Sequence, residues 1–368
     1  MARNERAKRH KPGRYPPDLH RQAYGRGRGA WCHLGPRAAT GDRMQAAICT
    51  GYGGPEVIGL GTLPAPVAGP GQVVIGVEAS TVSAADRRIR AQDLPRGFGL
   101  AGRLAFGLRR PRRPVLGSDC AGRVLAVGAG VTRFAPGDAV IALTGLAFGC
   151  HAEQVVMPET GAITAAPRNL SAAEAVSLLF GGVTALGFLR EKGQLRPGDR
   201  VLVIGAAGAV GAAAVQIAVV MGGDVTVLAR GKRDASLRAL GARAVLPSMV
   251  HARPAEAGPR WDIVLDTTGA YATAELQRCL LPGGRLLLVA ADLPQMLGGL
   301  ANPLRTYPVR SGSVPERAED LHQLVDWAEA GWLVPWIDSR FPLAQIAEAH
   351  RRQAEPGRMG SVVIDIPG

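Results

Sequence analysis

An α/β fold organised on a parallel sheet, with a region of short strands ahead of it, is what this sequence predicts from three observations. The first is residues 201–233, VLVIGAAGAVGAAAVQIAVVMGGDVTVLARGKR, where four apolar residues run into glycines at 205, 208 and 211. The second is the texture of residues 44–167: short alternating runs set between Gly/Pro clusters, as in a small domain of short strands. The third is the alternation of apolar strands with helical patterns beyond Pro167.

Residues 1–43 stand apart from all of this. They carry 11 Lys/Arg against 3 Asp/Glu, which is +8 of the net charge of +13. They show no periodicity and no apolar core of a signal peptide, so secretion through such a signal is excluded. A disordered basic leader ahead of a true start at Met44 is the expectation. A transit peptide and a nucleic-acid-binding arm are the alternatives; the lack of serine and the several prolines weigh against the first.

From Met44 onward, strands are expected over 73–78, 121–127 and 139–143. Ser171 with Glu174 three residues on predicts a capping box that opens a helix. A further helix is expected over 181–192, then the apolar strand 201–204. Residues 212–221 lack proline and glycine and read as a helix, stopped by Gly222 and Gly223 before a strand over 224–229. Strands over 262–266, 285–290 and 307–310, a turn over 280–284, a helix over 318–330 and a last strand over 361–366 complete the reading. Three regions follow: the leader 1–43, a catalytic domain 44–168 completed by 335–368, and a cofactor domain 169–334.

Strand, tight glycine turn, helix and strand form the dinucleotide-binding unit, in which the pyrophosphate sits at the positive helix N-terminus. Gly205, Ala207, Gly208, Ala209, Val210 and Gly211 are therefore cofactor-binding candidates, with Gly269 beyond the 262–266 strand. The second position after Gly205 is alanine, so the fingerprint departs from G-x-G-x-x-G. An NAD site places Asp or Glu about 20 residues on, at the ribose 2′-hydroxyl. Here stand Arg230, Lys232 and Arg233, three cations suited to a 2′-phosphate, so the cofactor is expected to be NADPH. A solvated basic loop is the plainer alternative for these three.

The order of parts and several segments together resemble the medium-chain dehydrogenase/reductase superfamily. YGGPEVIGL (52–60), PVLGSDCAGRVLAVGAGVTRFAPGDAV (114–140), GVTAL (182–186), VLVIGAAGAVGAAAVQIA (201–218) and LVDWAEAG (324–331) carry the likeness, which covers residues 44–366. The chain is most similar to its zinc-free quinone oxidoreductase branch, which includes zeta-crystallin. The resemblance implies a Rossmann doubly wound domain, a GroES-like β-barrel completed by the C-terminus, and a homodimer. It implies that Thr184 lies near the nicotinamide and Ser83 at the substrate end of the barrel, the two catalytic candidates. Ser83 replaces an asparagine common in quinone reductases, and Arg88 falls where some of them keep tyrosine; Asp86 is expected to orient the barrel loop.

A catalytic zinc needs thiolate or imidazole ligands and an open position. The zinc branch draws its first cysteine from the segment matching 82–86, where this chain has Ser83, and its histidine from a GHE segment, here Gly117-Ser118-Asp119. Cys150, His151 and Glu153 would point to alternate faces of a strand, so no metal is expected. The seven histidines show no spacing that argues for catalysis, and the five scattered cysteines suit free thiols in a reducing cytoplasm. No apolar run reaches the ~18 residues of a membrane span, so no membrane partner is expected, and nucleic acid is disfavoured. Residues 103–119 gather five arginines beside the expected cleft, either as a lid or as a solvated basic loop.

With the dinucleotide unit, the cationic strand end and the missing zinc ligands, the resemblance implies hydride transfer from NADPH to a quinone or an α,β-unsaturated carbonyl. An enoyl-thioester reductase and an alcohol dehydrogenase-like enzyme are the neighbouring readings. A non-catalytic NADPH- or nucleic-acid-binding protein is the reading from another class.

Overall fold

The computed structural model describes residues 43–229, 234–247, 259–300 and 307–366. The basic leader up to residue 42 lies outside these, as do Arg230, Lys232 and Arg233.

The first half is a β-structure built on one long strand. It runs β1 (Arg43–Cys49), β2 (Ile58–Pro64), β3 (Gln72–Val82), α1 (Ala84–Ala91), α2 (Gly99–Phe106), β4 (Asp119–Val127), β5 (Ala139–Leu143), β6 (Gln154–Pro158) and β7 (Ala162–Ala165). Nine of the eleven residues of β3 are buried, the polar Ser80 and Thr81 among them, so the strand faces protein on both sides instead of alternating with solvent. It pairs with β4, with β6 and with the last strand of the chain, β15 (Ser361–Asp365). The sheet order is β14-β15-β3-β4-β5-β7, where β14 is Ile337–Pro342. The C-terminus thus completes a sheet begun near residue 72. Val73, Ile75, Val77, Leu116, Ile163 and Ile364 lie in its core.

The second half starts with α3 (Ala172–Ser177), opened by the Ser171–Glu174 capping box, with the Ser171 hydroxyl 2.7 Å from the Glu174 carboxylate. α4 (Leu179–Gly187) continues it and ends in a π-helical turn, Phe188–Lys192. The combined helix Ala172–Lys192 is long and apolar enough to cross a bilayer, yet most of it is buried inside the fold, as a core helix is. Then come β8 (Arg200–Ile204), α5 (Ala209–Val220), β9 (Asp224–Ala229), α6 (Asp234–Ala239), β10 (Ala244–Pro247), β11 (Trp261–Asp266), α7 (Thr273–Gln277) and β12 (Leu280–Leu288). α8 (Leu293–Leu300), β13 (Val309–Arg310), α9 (Ala318–Glu329) and α10 (Ile346–Ala354) follow.

The six strands β10-β9-β8-β11-β12-β13 form one parallel sheet. Renumbered within the sheet this is the order 3-2-1-4-5-6, the doubly wound dinucleotide-binding arrangement, whose ligand crevice opens where the order reverses. Here that point lies between the carboxyl ends of β8 and β11. Val201 and Val203 face one core with Val183 and Ile217, while Leu202 and Ile204 face another with Val264 and Leu286. Burial on both faces explains the unbroken VLVI run.

One local reading is corrected. Residues 280–284, expected as a turn, belong to β12, which pairs with β11 at Leu280 and again from Arg285. Leu280 is fully buried and anchors the segment, so the Pro282-Gly283-Gly284 excursion bulges out of a continuous strand, with Gly283 at φ +78°.

Candidate cofactor and active site

At the switch point the backbone itself makes the cradle. Gly205 leaves β8 at φ +82°, and a side chain there would run into Thr267 and Thr268 at the end of β11. A Cβ on Gly211 would strike the Gly205 carbonyl and the Ala206 backbone, so helix and strand pack in direct contact. Gly208 differs: a Cβ there would meet only the Gly205 carbonyl, at 3.6 Å. Gly208 is the N-cap of α5, in extended conformation, and no side chain caps the helix. The amides of Val210 and Gly211 thereby lack a side-chain cap at the positive end of a twelve-residue helix, while the bridge between Gly208 and Gly360 directs the Ala209 amide at the Gly360 carbonyl. Such a terminus fits a pyrophosphate.

Three further elements hold the turn in place. A Cβ on Gly181 would lie 2.5 Å from the Ala209 carbonyl oxygen, so α4 crosses the first turn of α5 in contact. Thr184, one turn along α4 from Gly181, shares that flank; it is half-buried, and its hydroxyl makes no hydrogen bond within the described residues. From the other side, the Gly360 amide donates to the Ala207 carbonyl at 2.7 Å, tying the entry to β15 to the phosphate turn. After β11, one Asp266 oxygen accepts from the Thr268 amide (2.8 Å), the Thr268 hydroxyl (2.7 Å) and the Gly269 amide (3.3 Å). This fixes the loop in which Gly269 stands at φ +70°. The second Asp266 oxygen is buried without a partner among the described residues.

The barrel end is arranged otherwise, with side chains holding one another. Ser83 caps α1: its hydroxyl donates to the Asp86 carboxylate at 2.6 Å and accepts from the Asp86 amide at 3.2 Å. Asp86, 1% exposed, also accepts from the Ser83 and Gly117 amides at 2.8 and 2.9 Å, and so orients the loop before β4. Asp119 accepts from the Thr81 amide (2.9 Å), the Thr81 hydroxyl (2.7 Å) and, more distantly, the Ser80 hydroxyl. Burial pushes its carboxyl up to about 7 against these bonds, and the neighbouring Asp86 charge adds to the rise. His151 lies in a loop ahead of β6 rather than on a strand, its Nε2 donating to the Thr81 carbonyl at 2.9 Å. His350, 6.1 Å from it and 3.3 Å from the Arg90 guanidinium, is held well below the usual histidine range by burial, then by His151 and Arg90. Arg88 is half-buried, and desolvation lowers its guanidinium from the ordinary value. Among the described residues no group of three His, Cys, Asp or Glu is placed to hold a metal.

Residues 69–168 match the family model of the alcohol dehydrogenase GroES-like domain, and residues 207–364 that of the zinc-binding dehydrogenases. The synaptic vesicle membrane protein VAT-1 homolog of Rattus norvegicus is 30% identical over 363 residues, covering 88% of this chain and 84% of that protein. The chain belongs to the medium-chain dehydrogenase/reductase superfamily. Within it the chain falls in the quinone oxidoreductase branch: the quinone oxidoreductase from Coxiella burnetii has the same fold at a TM-score of 0.79, with 26% identity. That likeness covers 88% of this chain and all of that one. Polyketide synthase GfsB of Streptomyces halstedii is 32% identical over 278 residues, 72% of this chain, but the chain spans only 5% of that protein.

As a member of this superfamily the protein is an oxidoreductase with a nicotinamide dinucleotide site. The turn residues named from sequence, 205, 207–211 and 269, are brought to one crevice. Arg230, Lys232 and Arg233 fall outside the described residues. Gly181, Gly360 and the Asp266–Thr268 pair were not singled out from sequence as parts of this site. The Gly181-Gly182 doublet and the small-polar DTTG run at 266–269 were the signals available. Gly360 gave none, because its partner lies more than 150 residues away.

Proposed function

We propose that this oxidoreductase is zinc-independent and uses NADPH to reduce a quinone or an α,β-unsaturated carbonyl. The observation that carries the metal-free reading is the state of the zinc-ligand positions. Ser83 has its hydroxyl engaged with Asp86, Ser118 offers only another hydroxyl, and the Asp119 carboxylate is buried in hydrogen bonds with Thr81. This donor set does not suit zinc, which takes thiolate, imidazole or accessible carboxylate.

When bound, the dinucleotide supplies the hydride. The chain's part is to hold it and to shape the acceptor's surroundings. The α5 amides bind the pyrophosphate, Gly208 leaves room for its approach, and the Gly205–Gly211 contact fixes the turn beforehand. Thr184, beside that turn, is the side chain we assign to the reacting ring, with its hydroxyl able to orient the acceptor oxygen or pass it a proton. Ser83 acts on the substrate end through Asp86 and Gly117, as a positioning residue. A conjugated acceptor spreads the arriving charge onto its own oxygen, so it does not require a Lewis acid. Arg230, Lys232 and Arg233 favour the 2′-phosphate by charge. We take the protein to be a homodimer in a reducing cytoplasm, in keeping with four described cysteines that are all buried and free.

The test is a pair of dissociation constants, for NADPH and NADH, on the wild type and Arg230→Asp. NADPH affinity should fall about tenfold to a hundredfold, with NADH little changed. An unchanged ratio removes the NADPH assignment. NADPH oxidation with a quinone, with and without a chelator, tests the rest: abolition by the chelator removes the metal-free reading. An enoyl thioester is the second acceptor to assay, favoured by the 32% identity to a segment of Polyketide synthase GfsB.

A further inference from the structure

Between α1 and β4, positive charge and exposed apolar surface occur together. Residues 94–118 contain six arginines, 96, 103, 109, 110, 112 and 113, and no Asp or Glu. All six are exposed, and none forms an ion pair among the described residues. Through the middle of this segment runs α2. Gly102 is buried against Leu94, and Phe106 packs on Phe148 with ring centroids 6.4 Å apart, so that side of the helix faces the protein. The opposite side carries Leu100 and Leu104, four residues apart, with Leu108 just beyond. They are 74%, 55% and 64% exposed.

This arrangement is fastened. The Tyr52 hydroxyl donates to the Gly107 carbonyl at 2.8 Å, the Arg112 amide to the Phe106 carbonyl at 2.7 Å, and the Leu293 amide to the Arg96 carbonyl at 2.9 Å. Three leucines are therefore presented outward on an anchored element instead of folding back onto the core. A contiguous apolar patch rimmed by charge marks an interaction surface.

We propose that α2 and its flanking arginines are a docking surface for an anionic phospholipid bilayer. Leu100, Leu104 and Leu108 enter the boundary between headgroups and acyl chains, and the guanidinium groups bind the phosphates above it. Both halves of the pattern are used. A nucleic acid would engage the arginines and leave the leucines in water, and a lid closing over substrate would use the leucines and leave most of the arginines without anions. The expectation of no membrane partner came from the lack of a spanning run, which does not bear on a surface contact. The inference does not depend on the acceptor or on the NADPH assignment.

The experiment uses the full chain and vesicles of phosphatidylserine with phosphatidylcholine, against phosphatidylcholine alone. Binding should be at least about tenfold tighter to the anionic vesicles and should weaken with salt. Arg109→Gln with Arg110→Gln should weaken it roughly tenfold or more, since each cation near such a surface contributes about fivefold. Leu100→Gln with Leu104→Gln should do the same through lost burial, about tenfold or more. All four substitutions are at exposed positions, so the melting temperature should stay put. Residues 1–42 are also basic, so depth is read separately: Leu104→Trp, mixed with anionic vesicles of brominated acyl chains, should be quenched beyond the wild-type tryptophan background. Tethering by the leader alone would leave the introduced indole in water, and absence of excess quenching overturns the proposal. So would leucine variants that bind vesicles as the wild type does, arginines that bind nucleic acid in preference to vesicles, or burial of the indole on adding quinone but not vesicles.

Discussion

The two ends of the candidate site are built from different materials. At the phosphate turn, backbone meets backbone: Gly211 on Gly205, Gly181 on Ala209, Gly360 on Ala207. At the barrel loop, side chain meets side chain: Ser83 with Asp86, Thr81 with Asp119, Arg90 with His350. A backbone cradle tolerates almost no added atom but leaves its amides free for a ligand. A side-chain network tolerates shape changes but uses up its polar groups on itself. The first end is therefore made to bind, and the second mainly to hold a loop still beside what is bound.

The largest expected effect comes from the first end. Gly211→Val puts branched carbon into the Gly205 carbonyl and the Ala206 backbone, neither of which can move without displacing β8. It should cost about 3 kcal/mol or more and abolish cofactor binding, read by thermal unfolding and by NADPH fluorescence titration. A stable, binding-competent variant would mean the turn is looser than these contacts require. Next is Asp86→Ala, which strands the buried Ser83 and Gly117 amides and removes the carboxylate half of the capping box that opens α1. A loss of roughly 2–4 kcal/mol is expected in denaturant unfolding. Dinucleotide affinity should change little, and a large drop there would break the division between the two ends.

Asp119 gives a smaller and pH-dependent effect. Its folded carboxyl titrates at about 7 instead of near 3.8, chiefly through burial. Between those two values the folded chain holds a proton that the unfolded chain has released, so this group's contribution to stability falls as pH rises through that window. Above it both states are ionised and the loss is complete. Asp119→Asn removes the titration while keeping the shape. Relative to the wild type, it should gain stability from pH 5 to pH 8, by at most a few kcal/mol. Unfolding midpoints of both proteins at each pH provide the check; parallel pH profiles would show that Asp119 is already ionised in the fold.

What could be read from the chain follows the same division. The glycine turn, the strand Asp224–Ala229, the strand Ala139–Leu143 and the Ser171 capping box are local patterns, and the structure has each of them where the residues put it. The Ser83-Ala84-Ala85-Asp86 run is also a capping box, a local signal in the same residues that the resemblance sets against a zinc-ligand position. Out of reach were contacts between distant residues: Arg90 with His350, 260 apart, and Gly360 with the phosphate turn. Local periodicity specifies an element, but only packing decides which ends meet. The bulge in β12 was missed for the same reason, since Pro282-Gly283-Gly284 resembles any turn until Leu280 is seen buried in register with Trp261.

The smallest effect on stability sharpens the comparison most. Gly208 stands in the same turn as Gly211 and three residues from it, yet its added Cβ would meet only one atom, at an ordinary 3.6 Å. Its φ of −76° suits any residue. Gly208→Ala should therefore leave the melting temperature within the scatter of a neutral surface change, about 0.5 kcal/mol. The empty side is where a pyrophosphate must approach the α5 amides. A methyl group there should weaken dinucleotide binding by roughly tenfold, for NADPH and NADH alike, because it acts on the shared pyrophosphate. Paired titrations beside a thermal melt separate the outcomes. A destabilised variant would make Gly208 one more packing glycine, and full affinity would move the phosphates away from this helix end.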